Sequence, residues 1–224
     1  MKNYHVLSCL TAVALLSGCA SVKPSVIEGA NKSSLGVLYH AAPAEFNAKN
    51  VYSDPYLREV TPVHSVTGFG LAVLSVALGN VNGSSFDKET YKGNVLKTLK
   101  NPTLEYFKPK ANQAIKAWLE ANGAGYVYQQ PLHIGYSTWS LIYKNLNGSD
   151  SLYELKYKVF FYKKPEKGSF FSGFVKQACS PAPVEANLAE WRNDQYAKVK
   201  VVTQQLMDQC LQQFEQQLPI LLKK

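Results

Sequence analysis

Between Leu152 and Lys164 apolar and polar residues alternate almost without exception, and this run constrains the chain more than any other. Tyr153, Leu155, Tyr157, Val159 and Phe161 share one face; Glu154, Lys156 and Lys158 share the other. A period of two places successive side chains on opposite faces of a strand, so the segment reads as a half-buried β-strand. Asn147-Gly148 before it and Pro165-Glu166-Lys167-Gly168 after it carry turn chemistry, which makes sequential antiparallel hairpins the simplest connection. Tyr126–Gln129, Leu132–Leu146 and Ser169–Cys179 read as the companion strands, and Leu35–His40 as a weaker first one.

The flanking segments have a different period. Across Phe86–Asn122, Val95, Leu99, Leu104, Phe107, Ala111, Ile115, Trp118 and Leu119 follow a three-four spacing, which predicts helix. Pro102 and Pro109 divide it and Gly123 and Gly125 stop it. From Asn187-Leu188-Ala189-Glu190, which has capping-box residue types, a long helix is expected. Val199, Val202, Leu206, Met207, Cys210, Leu211, Phe214 and Leu218 form its apolar side, Pro219 ends its regular part, and glutamines fill the opposite face. Ala41–Pro62, with Pro43, Pro55 and Pro62, reads as a long loop. The expected fold is α+β: an antiparallel sheet of about four to five strands, helices packed on one face, and a long C-terminal helix.

The N-terminus carries an address. Lys2 is the one charge ahead of an apolar run, Val6–Leu16, too short to span a membrane as a helix. Leu16-Ser17-Gly18-Cys19 follows, and this layout resembles the lipobox of bacterial lipoproteins. The resemblance implies a signal peptide over 1–18, acylation of Cys19, a flexible tether over 19–34 and a single domain over 35–224. Ala20, rather than Asp, after the cysteine implies the outer membrane, with the domain facing the periplasm. Cys9 is a weaker lipidation candidate, since few apolar residues precede it.

Cys179 and Cys210 remain as one pair in an oxidising compartment, where a disulfide is the default; two free buried thiols are the alternative. The formal net charge is +8, and Arg58 and Arg192 are the only arginines. Nucleic-acid readers mix arginine into a basic stripe. The lysines here suit an anionic membrane surface or envelope polymer, or serve only solubility.

Catalytic signatures were sought at their required spacings. Gly68-Phe69-Gly70 lacks the third glycine of a dinucleotide loop, and no Gly-x-Ser-x-Gly elbow or His-Glu-x-x-His motif occurs. His40, His64 and His133 are each isolated; converging in space, they could bind zinc, but no metal or cofactor is expected. Glu154 among lysines suggests cross-strand pairing. Two uncharged stretches stand out. Val63–Gly83 reads as a buried helix, or as a segment contacting the membrane or a second copy. In Ser169–Phe174, Phe170 and Phe174 would share one face and Phe171 the other, a candidate contact for lipid or protein if exposed. The expected function is that of a non-enzymatic lipoprotein binding an envelope protein or anionic envelope polymer. A periplasmic hydrolase with a site of scattered residues, and a self-assembling structural lipoprotein, are the alternatives.

Overall fold

The computed structural model describes residues 23–43, 46, 53, 55–62, 88, 92–145, 152–169 and 171–224. Cys19, His64, Phe170 and the Val63–Gly83 segment lie outside these residues.

Two long strands form the spine of an eight-stranded sheet. They are β5 (Leu132–Tyr143) and β6 (Leu152–Lys163), paired antiparallel from Leu132↔Lys163 to Tyr143↔Tyr153. A bulge between Tyr136 and Trp139 keeps apolar side chains of β5 inward on both sides of the irregularity. The far edge of β6 carries β7 (Val175–Cys179) and β8 (Val184–Asn187), both antiparallel. The far edge of β5 is shared by two parallel partners, β2 (Ser34–Ala41) and β3 (Tyr56–Val60). Outside them lie β1 (Ser25–Glu28) against β2 and β4 (Asn94–Lys100) against β3.

This corrects the expected antiparallel sheet of four to five strands: the sheet is larger and mixed. Three short strands hid in segments with competing signals. β1 occupies part of the stretch read as tether, and β3 sits in the Pro-rich loop. β4 sits where a helix was expected, because Val95 and Leu99 are spaced four apart and satisfy either period. Pairing with Leu57 and Arg58 decides the matter, a tertiary effect that overrides local pattern. Ser169–Cys179 is strand only from Val175.

The helices are α1 (Lys108–Asn122), entered through a π-helical turn at Thr103–Phe107, and α2 (Leu188–Leu221). Pro219 lies inside α2 rather than at its end. Ala111, Ile115 and Leu119 of α1 and Leu206, Met207, Phe214 and Leu218 of α2 join the odd-numbered face of β6 in one core. Phe161 lies 4.7 Å from the Phe214 ring and 6.0 Å from Phe107, centroid to centroid. Two buried polar pairs bridge this core: Trp139 Nε1 donates to Thr203 Oγ1 at 2.9 Å, and the Tyr157 hydroxyl meets Thr103 Oγ1 at 2.9 Å.

Near its start α2 breaks. Asp194, Gln195 and Tyr196 take φ of 45°, 51° and 64°, a left-handed turn of three non-glycine residues. Such residues cost roughly 1–2 kcal/mol each. The turn lets two side chains reach the buried Glu59 of β3. Arg192 donates to both carboxylate oxygens, at 2.5 and 3.2 Å, and the Tyr196 hydroxyl donates at 3.0 Å.

A disulfide joins Cys179, the last residue of β7, to Cys210 on the buried side of α2. It closes a sequence separation of 31 residues. A loop of that size stabilises the fold by roughly 3–4 kcal/mol on the chain-entropy model. Among the described residues no helix is long and apolar enough to cross a membrane.

Candidate functional site: a histidine and aromatic patch on the open sheet face

The even-numbered face of β6 changes character along its length. It bears charge at Glu154, Lys156 and Lys158, then aromatic rings at Phe160 and Tyr162. Glu154 sits 3.4 Å from Lys88 and from Lys156 of its own strand; its register partners are Ile142 and Glu185, so the pairing is not the cross-strand one expected.

At the aromatic end the register assembles a cluster. His133, the second residue of β5, is paired with Tyr162 and stacks on its ring at 4.7 Å and 12°. His40, near the end of β2, lies opposite Gly135 and meets His133 edge-on at 5.3 Å. Gly135 matters because Ala42 folds over it; a Cβ there would sit 3.1 Å from the Ala42 Cα. Ala42 N donates to Tyr136 O at 2.7 Å, which turns the chain back across the sheet and brings Phe46 edge-on to Tyr162 at 4.4 Å. Phe174, just before β7, closes the group at 5.3 Å from Tyr162 and 5.7 Å from Phe46.

The hydrogen bonds fix the histidine tautomers. His40 Nδ1 lies 2.7 Å from Ala41 O, which can only accept, so Nδ1 carries a proton. In neutral His40 Nε2 is then an acceptor, facing the Tyr162 hydroxyl at 2.9 Å and His133 Nδ1 at 3.1 Å. Burial, with a smaller contribution from the neighbouring His40, pushes the His133 pKa down to about 4. His133 is therefore neutral at pH 7. In the tautomer whose Nδ1–H faces His40, its Nε2 keeps a lone pair.

Lysines cap the rings. Lys176 lies 4.0 Å from the Phe46 centroid, Lys158 4.9 Å from Phe160 and Lys164 5.7 Å from Phe174. Lys158 and Lys176 make no ion pair with any described carboxylate. The patch thus combines ring surface, an imidazole nitrogen with no hydrogen-bond partner among the described residues, and positive charge. It can stack an apolar or planar group and attract an anionic one.

Of the residues singled out in the sequence, His40 and His133 converge and Phe174 joins them. Phe171 does not, being 92% exposed. Among the described residues no group of three His, Cys, Asp or Glu side chains could hold a metal ion. Tyr162, Phe46 and Lys176 were missed. For Tyr162 the signal was present: the face that begins Glu154, Lys156, Lys158 ends in two rings, which a purely solvated face does not need. No family model, curated protein or solved structure matches the chain.

Proposed function

We propose that this chain is a non-enzymatic lipoprotein of the outer membrane, facing the periplasm, and that its open sheet face binds an anionic component of the envelope. The observation that carries the binding reading is the ring cluster of His40, Phe46, His133, Tyr162 and Phe174 with lysines laid over its edges. Tyr162 at the centre of the cluster is buried, while His40, Phe46, His133 and Phe174 around it are half-buried. The address rests on the lipobox-like Leu16-Ser17-Gly18-Cys19, and the Cys179–Cys210 disulfide suits an oxidising compartment. A hydrolase would use an imidazole oriented by a carboxylate beside a nucleophile. Here His40 Nδ1 is tied to a backbone carbonyl and His133 Nδ1 faces another imidazole, which favours binding.

The test is photo-crosslinking in intact cells from a probe at position 176. A discrete adduct that disappears in Phe46→Ala and Phe174→Ala chains is expected. Failure to form any adduct from position 176, while the protein is folded and exported, would overturn the binding face. Retention of the Cys19→Ser chain in the envelope at unchanged mass would overturn the anchor.

A further inference from the structure

Away from the patch, the β6–β7 turn and the end of α2 form a second surface. Phe171 at the tip of the turn is 92% exposed and Ile220 of α2 53% exposed. Behind them an open cavity of about 430 Å³ is lined by Val175, Ile220 and Leu221, with Lys167, Lys223 and Lys224 also on its wall. The acidic residue of this turn, Glu166, is already spent. Its carboxylate receives Lys163 Nζ and the amides of Gln129 and Gln130, the latter at 3.0 and 3.3 Å. Lys167 and Lys223 make no ion pair with any described carboxylate. Lys224 Nζ donates to the carbonyls of Asn122 and Gly123 and pairs with no described Asp or Glu side chain. A protruding ring set among such lysines is the chemistry of interfacial attachment to anionic lipid.

We propose that this tip docks onto an anionic phospholipid bilayer, with Phe171 entering the acyl boundary and Lys167, Lys223 and Lys224 meeting the headgroups. The reach of the chain fits. Ser25, Val37, Leu132, Lys163 and Val175 are register partners in one row across the sheet. Four interstrand steps place the β6–β7 side about 19 Å from the start of β1. Six Cα-to-Cα steps lead from Ser25 to Cys19, which span at most about 20–22 Å. An acylated Cys19 and the Phe171 tip can therefore rest on the same membrane plane. This geometric support relies on the proposed anchor; the exposure and charge of the tip do not.

The test uses the full chain carrying Phe171→Trp, with the parent chain as baseline, mixed with phosphatidylglycerol or phosphatidylcholine vesicles. Trp139 and Trp191 are buried and Trp118 is half-buried; all three are common to both chains, so the difference between the chains reports on position 171. A blue shift and quenching by brominated lipid are expected on phosphatidylglycerol, weakened by salt and much smaller on phosphatidylcholine. Replacing Lys167 and Lys223 together by Gln should weaken partitioning by about tenfold or more. Water-like emission from position 171 while the protein sediments with the vesicles would overturn the docking. So would partitioning unchanged by the two Gln substitutions. The mass of the chain reports acylation separately. An acylated chain without the shift removes the docking and keeps the anchor; an unacylated chain with the shift does the reverse.

Discussion

The two faces of β6 are made by one run of residues and meet different fates. Tyr153, Leu155, Tyr157, Val159, Phe161 and Lys163 are all at most 5% exposed, sealed within the core that both helices complete. On the even face Ile142, Ser140 and Tyr162 are buried, but at the aromatic end Phe160, His133, His40 and the adjoining Phe174 remain half-buried, with lysines over the Phe160 and Phe174 rings. Apolar mass on the first face is what the fold needs to exist. On the second it is only partly buried at the aromatic end, and histidines and cations accompany it there. A strand can therefore specify a core with one set of side chains and display a binding surface with the other, provided a single register holds both.

Paired truncations probe this division most strongly. Phe161→Ala removes a fully buried ring wedged between Phe107 and Phe214 and should destabilise the fold by about 3–5 kcal/mol. Phe174→Ala removes a half-buried ring and should cost about 1 kcal/mol. Urea denaturation of both chains measures the difference. Equal losses would mean that the open face is a second core, and the patch would lose its claim to be a surface.

Lys163 lies where the two faces meet, and its pairing gives the next effect in size. Burial pushes the Lys163 ammonium down, opposed by Glu166. Burial also raises the Glu166 carboxyl, but Lys163 and the two backbone amides outweigh it and hold it below the usual range. Both side chains are 1% exposed. Glu166→Gln leaves a buried ammonium without its counter-charge and should cost about 3 kcal/mol. A joint Lys163→Met and Glu166→Leu replacement should recover most of that loss in the same measurement. No recovery would assign the loss to the turn hydrogen bonds instead.

The legibility of the fold follows the same contrast. The odd face of β6, the apolar side of α2 and the Cys179–Cys210 pair were readable because periodicity and compartment chemistry are local properties. β3 and β4 were not, since their pairing partners lie far along the chain and Tyr56–Val60 has prolines close on either side. The parallel seating of β2 and β3 on one edge of β5 is also a long-range outcome that no period encodes. The site was half legible. His40 and His133 were visible as residues, but 93 positions separate them, and only the β2–β5 register makes them neighbours. Phe46 enters through the turn that Gly135 permits, a contact written in a missing side chain.

The smallest effect is a pH dependence that the open face should own. His133 has its pKa pushed from 6.5 to about 4, so the folded state binds fewer protons than the unfolded chain between those values. Its contribution is complete above pH 6.5 and is lost as the pH falls toward 4, with a slope of at most about 1.4 kcal/mol per pH unit. Glu166 complicates only lower pH, because its carboxyl is held below the usual range and its stabilisation is lost on acidification below about pH 4.5. Urea midpoints at pH 7, 6 and 5 therefore isolate the imidazoles. The parent chain should lose stability steadily across that series. His133→Phe keeps a ring stacked on Tyr162 but cannot be protonated, and should flatten the slope. A slope unchanged by His133→Phe would move the titration elsewhere in the molecule. It would also remove the argument that His133 stays neutral, and with it the free lone pair that distinguishes this patch from a cluster of rings.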